Sequence, residues 1–217
     1  MGTLGLAITL VVRLYDNGTL ADADRAVAID TAATILLASN IPTSWPGCQP
    51  PSAGRVLPFG SGSGDGSEEQ DPSYVIPFGC NRPMGPGELA VRLVRGTTPR
   101  HTRGDLPLGY SLVDTARGGG ALATIYLDRV EWIAGTTGVD VRVILGRAIA
   151  HEIGHLVLGT NAHGEHGLMR AVWSRRTLER NAPGDWLFTP QESADLHRAL
   201  GRRVPVTESA ENIVWGR

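Results

Sequence analysis

The stretch "DVRVILGRAIAHEIGHLVLG", Asp140 to Gly159, decides the fold. Val141, Leu145 and Ala148 recur at helical spacing and share a stripe with His151, Glu152 and His155. Gly159 follows the last periodic residue, where a glycine commonly ends a helix. The segment therefore predicts a helix from about Asp140 to Leu158. His151 and His155 are four residues apart, so both imidazoles leave one helix face about a turn apart. Two ring nitrogens so placed reach one tetrahedral zinc at ~2.0–2.1 Å each. Glu152 sits at the edge of the same face. There it can take a proton from a zinc-activated water without being a ligand. The plain alternative is a helix with two surface histidines.

The chain continues "TNAHGEHGLM", Thr160 to Met169. A catalytic zinc keeps three protein ligands and one open position. His163 is nearest in spacing and is the third ligand expected here. Three others compete: Glu165 in the same loop, His166 closer to Met169, and Glu192 on a later helix. Glu192 already has a local task. In "TPQESADLHRAL", Thr189 can cap a helix, Pro190 suits its first turn, and Glu192 completes a capping box. That places a final helix at about 190–201.

Upstream, Ile8, Leu10, Val12 and Leu14 alternate with Thr9, Val11, Arg13 and Tyr15, a strand pattern stopped by Asn17-Gly18. The opening residues have the apolar look of a signal peptide core but lack a basic start and a small-residue cleavage site. They read as the first strand of a mature domain, with any leader outside this chain. Ala26, Ile29, Ala33, Leu36 and Leu37 share one face of a helix from Asp22 to Asn40, closed by Pro42. Residues 46–88 are rich in Pro, Gly and Ser and read as a loop-rich insertion. Alternation then predicts strands at Glu88–Gly96, Leu108–Thr115 and Ala121–Val130. Cys48 and Cys80 flank the insertion, where a disulfide would tie off a long loop, and neither has the spacing of a zinc ligand pair.

Composition narrows the classes further. The 217 residues suit one domain, and 41% hydrophobic content supplies a core. A net charge of −2 without a long basic run argues against nucleic acid. All 20 basic residues are arginine, which coding bias explains without a functional role. No stretch approaches the ~20 apolar residues of a membrane span.

The segment Asp140 to Met169 resembles the zincin metallopeptidases, and within them the metzincins, nearest the matrixin type. That family carries HExxH on a helix, a glycine turn, a third histidine, and a methionine in a tight turn beneath the metal. This sequence departs from the pattern. The family's glycine and third histidine would fall on Leu158 and Asn161. They come later here, as Gly159 and as His163, two residues beyond the family position. The resemblance implies that Met169 forms the floor of the site. Ala171 stands where some relatives have a tyrosine, so no tyrosine ligand is expected. It implies that a peptide adds as a strand to a sheet edge, for which Ala121–Val130 is the candidate, beside a pocket lined by Val172 and Trp173.

The expected protein is a single α+β, zincin-like domain over residues 1–217. A mixed twisted sheet is backed by two helices, one of them the metal helix, and residues 160–217 form a small lower, helical part. The expected function is that of a zinc (Zn2+) metallopeptidase, an endopeptidase with Glu152 as general base and His151, His155 and His163 on the metal. Its partner would be a peptide or protein substrate, and the chain a secreted or periplasmic monomer. A catalytically inactive zinc-binding recognition domain is the alternative. A structural or adhesion domain with an accidental motif is the third reading.

Overall fold

A computed structural model describes residues 9–16, 19–48, 80, 82–85, 87–96 and 107–203. Its first strand, β1 (Leu10–Tyr15), buries Leu10, Val12 and Leu14 on one face and Arg13 on the other. A strand covered on both faces suits a parallel sheet. β1 lies parallel to the short β2 (Thr43–Ser44) on one side and to β3 (Glu88–Val94) on the other. β4 (Gly109–Asp114) and β5 (Gly119–Tyr126) complete five strands in the order β2-β1-β3-β5-β4. Only β4 runs antiparallel. The chain is thus α+β with a mixed sheet.

Helix α1 (Asp22–Ala38) connects the parallel pair β1 and β2, and it packs beside α3 (Val141–Leu158). Ala28 of α1 and Gly146 of α3 meet closely: a Cβ on Gly146 would stand 2.5 Å from the Ala28 carbonyl oxygen. Ala28, Ala32, Ile35 and Leu36 join Ile144, Ile149, Ile153 and the inner face of the sheet in one buried core. Fully burying the leucine and isoleucine side chains contributes ~1.5–3 kcal/mol each.

Register then decides what faces α3. Val12 lies beside Leu89, Val91 beside Ala123, and Leu93 beside Ile125, all buried. On β4, Gly109 pairs with Ile125 and Ser111 with Ala123, so both share that inner face. Tyr110 and Leu112 take the other face and are exposed.

Two sequence expectations are corrected here. The strand predicted to run to Val130 ends at Tyr126, and Leu127–Thr137 is a helix, α2, closed by Gly138 at φ 70°. Leu127 and Val130 are buried three apart on that helix, a spacing that short alternation also mimics. The second correction concerns the sheet edge. β5 is interior, and the edge strand on that side is β4. A turn at 115–118 folds β4 back along β5; Asp114 Oδ1 accepts from the backbone N–H groups of Ala116 and Arg117 there. The other side of β5 is taken by β3, so among the described residues β4 forms the edge at this end of the sheet and β2 the edge at the other.

The segment before β3 is held to β1. Cys48 and Cys80 are joined by a disulfide, with Cα atoms 5.5 Å apart. Arg13 pairs with Glu88, which also pairs with Arg82, and Arg13 donates to the carbonyls of Arg82 (2.8 Å) and Pro83 (3.2 Å). Most of the expected insertion, residues 49–79, lies outside the described residues, as do 1–8 and 204–217. Beyond α3 come α4 (Arg175–Arg180), a 3-10 turn (Pro183–Trp186) and α5 (Pro190–Arg203), which matches the expected final helix within two residues. No helix among the described residues is long and apolar enough to cross a membrane.

Candidate metal centre

Helix α3 is capped at both ends by its own sequence. The Asp140 side chain accepts from the Arg142 N–H at 2.9 Å, and Gly159, at φ 72°, closes the C-terminus. Every residue from Ile144 to Val157 is buried, including the polar His151, Glu152 and His155. Buried polar groups without partners are costly, so the destination of each ring nitrogen matters.

The Nδ1–H of His151 donates to the Leu168 carbonyl at 2.9 Å, and that of His155 to the Thr160 carbonyl at 2.8 Å. A carbonyl only accepts, so each Nδ1 carries the proton and each neutral ring presents a bare Nε2. Those two Nε2 atoms stand 3.0 Å apart. Burial lowers the pKa of both rings, that of His151 to about 4, so near neutral pH no ring proton bridges them. Two facing lone pairs at that distance suit a cation bound between them. His163 completes the set: its ring lies 4.8 Å from His155 and 5.4 Å from His151, and one nitrogen of each of the three falls within 4.8 Å of the others. A trio of imidazoles is a suitable donor set for zinc.

The remaining candidates are placed elsewhere. Glu192 Oε2 accepts from the Thr189 N–H (2.7 Å) while Thr189 Oγ1 accepts from the Glu192 N–H (3.2 Å), the capping box read from the sequence. Glu165 and His166 are exposed and lie outside the histidine trio. The loop bearing them closes on itself, with the Gly164 N–H donating to the Met169 carbonyl at 2.9 Å. Met169 is buried against α3: a Cβ on Gly154 would meet its sulfur at 2.6 Å and Phe188 Cε1 at 2.8 Å. Trp173 lies edge-on to His151, with ring centroids 5.8 Å apart, and donates to the same Leu168 carbonyl at 3.3 Å.

Glu152 and the three histidines line one open cleft of about 330 Å³, together with Tyr110, Val172 and Trp173. Burial raises the Glu152 pKa to about 7, against the opposing hydrogen bond from Ser111. Ser111 Oγ lies 2.6 Å from Glu152 Oε2, and it is itself buried. Sequence reading passed over Ser111 and Gly109. Their small size at alternate positions of β4 was visible, but not which face of the strand would meet α3. It also passed over Arg147, buried one turn before His151. Its guanidinium lies 3.8 Å over the Trp186 ring and donates to Asn181 Oδ1 at 2.5 Å. Burial lowers its pKa to about 10.

No known family's sequence profile and no curated protein matches the chain. Among solved structures the chain is similar to a zinc-dependent peptidase from Methanocorpusculum labreanum (strain Z), at 14% identity and a TM-score of 0.46, over 86% of this chain and 99% of that one.

Proposed function

We propose that this protein is a zinc-dependent peptidase of zincin-like, metzincin-type architecture, with His151, His155 and His163 as metal ligands and Glu152 as general base. The observation that carries the reading is the pair of bare Nε2 atoms facing each other beside a third imidazole, with a buried carboxyl group in the same cleft. Zinc bound there would supply a Lewis acid that lowers the pKa of a water toward ~7 and polarises the scissile carbonyl.

The protein's own groups do the rest. Glu152 takes the proton of the attacking water and returns it to the leaving amine. Its burial keeps the proton affinity near neutrality, where both halves of that exchange are accessible. The carbonyls of Leu168 and Thr160 hold the two helix imidazoles in the ligating tautomer, as outer-shell acceptors do in metal sites. The free edge of β4 borders the cleft, so a substrate peptide can add there as a further strand. An edge of six residues suits the middle of a chain, which favours an endopeptidase. The Cys48–Cys80 disulfide supports a secreted or periplasmic setting.

The test combines metal analysis with one substitution. About one zinc per chain is expected, and Glu152→Gln should retain it while losing cleavage of an unfolded protein substrate. Cleavage unchanged in Glu152→Gln sinks the mechanism. Zinc without cleavage in the unaltered chain gives the recognition-domain reading instead.

A further inference from the structure

We propose that Ser111 is a positioning residue that holds Glu152 in its working orientation, an assignment that rests on the peptidase reading above. The two oxygens of the Glu152 carboxyl group meet two residues of one strand. Ser111 Oγ stands 2.6 Å from Oε2, and Gly109, two positions earlier on the same face of β4, leaves the space that Oε1 and Cγ occupy. A Cβ at Gly109 would lie 2.7 Å from Oε1 and 2.8 Å from Cγ.

The serine hydroxyl has one proton and two acceptors in reach, Glu152 Oε2 and the Glu152 carbonyl at 2.9 Å. The Oε2 contact is the shorter, and once Glu152 is ionised its charged acceptor makes the stronger bond. Oε2 is thereby fixed, and Oε1 rests in the notch left by Gly109. Oε1 is then the oxygen that serves the water. A glutamate has three rotatable bonds, so without that anchor its carboxyl group would sample several orientations. A displacement of about 1 Å in a reacting group can cost ~100-fold in rate.

The placement also links two functions in one strand. The rim of β4 is an edge of the sheet among the described residues, while its inner face grips the base. A peptide lying along that edge therefore bears on the strand that sets the carboxyl group.

The full chain with Ser111→Ala and with Ser111→Thr tests the assignment. Both variants should carry about one zinc and melt close to the parent. Ser111→Ala should lower kcat roughly 10- to 100-fold with KM within about twofold, and Ser111→Thr, which keeps the hydroxyl, should recover most of the loss. A second readout needs neither metal nor turnover. In metal-free protein labelled with 13C at glutamate carboxyl groups, the Glu152 signal is identified by its loss in Glu152→Gln. It should shift in Ser111→Ala and return toward the parent position in Ser111→Thr. A parent-like kcat and an unmoved Glu152 signal in Ser111→Ala overturn the assignment, while an inactive Glu152→Gln in the same assay leaves the peptidase reading standing. If Glu152→Gln still cleaves, the peptidase reading fails, and the 13C shift alone then decides whether Ser111 holds the carboxyl group.

Discussion

The Nε2 atoms of His151 and His155 face each other at 3.0 Å, each with its Nδ1–H already committed to a backbone carbonyl. Such a pair gains from a shared cation, so zinc should bind the folded chain and not the unfolded one. At a free zinc concentration about 100 times its Kd, the stabilisation is about 2.7 kcal/mol. For a chain of this length that is a rise in Tm of roughly 5–10 °C, reversed by a chelator. A Tm indifferent to zinc would count against the centre.

His163→Ala and His166→Ala separate the third ligand from its neighbour. Only His163 joins the cluster, so its loss should weaken zinc binding by more than the ~10–100-fold typical of an outer-shell partner. His166→Ala and Glu192→Ala should keep parent affinity, Glu192→Ala costing only the cap, about 1 kcal/mol. Competition with a chromogenic chelator measures all three.

The metal-free chain has a pH signature with two opposing parts. Glu152 moves from 4.5 to about 7 on folding, so the folded chain keeps a proton that the unfolded chain has lost across that window. Its contribution is full below pH 4.5 and is lost as pH rises through 7. His151 moves from 6.5 to about 4, so its contribution is present above pH 6.5 and is lost as pH falls through 4. Glu152→Gln removes only the first part. Its stability relative to the parent should therefore grow between pH 5 and pH 8, by up to about 3 kcal/mol. Urea unfolding of both proteins without metal gives the difference directly, and a difference independent of pH would refute the buried, proton-holding Glu152.

Gly154→Ala puts two forces in competition. Alanine is the better helix former by about 1 kcal/mol, yet its Cβ would meet the Met169 sulfur and Phe188. Overpacking of that kind costs ~1–3 kcal/mol, so the variant should melt lower than the parent. Adding Met169→Ala should make the two changes non-additive, because they share one contact. Additive losses in calorimetry would show that Met169 does not constrain position 154.

Reducing the Cys48–Cys80 disulfide opens a loop of 32 residues by sequence separation. Chain entropy sets the loss at no more than about 4 kcal/mol. A lower Tm with unchanged zinc stoichiometry is expected, since neither cysteine lies among the histidine trio.

Local chemistry made much of this legible before any coordinates. The α3 helix, its Gly159 stop, the capping box at Thr189 and Glu192, and the strands β1, β3 and β4 each rest on signals within a few residues. What failed was non-local or ambiguous in period. Leu127 and Val130 fit the tail of a strand as well as the first turn of α2. That β4 and not β5 lies at the edge depends on β3 claiming one side of β5, a pairing between distant segments. Ser111 was illegible for the same reason: its inward face is fixed only by its pairing with Ala123. The choice of His163 came from spacing, and the path from Gly159 to Met169 is what brings its ring beside the other two.

The carbonyls that orient the two helix imidazoles belong to Thr160 and Leu168, at either end of the loop that carries His163. The five residues of HEIGH are therefore not self-sufficient. Grafted alone onto another protein's helix, they would arrive with both rings free to turn and with no third donor. The smallest transplantable unit is the whole circuit from His151 to Met169, within which Gly154 seats the last residue.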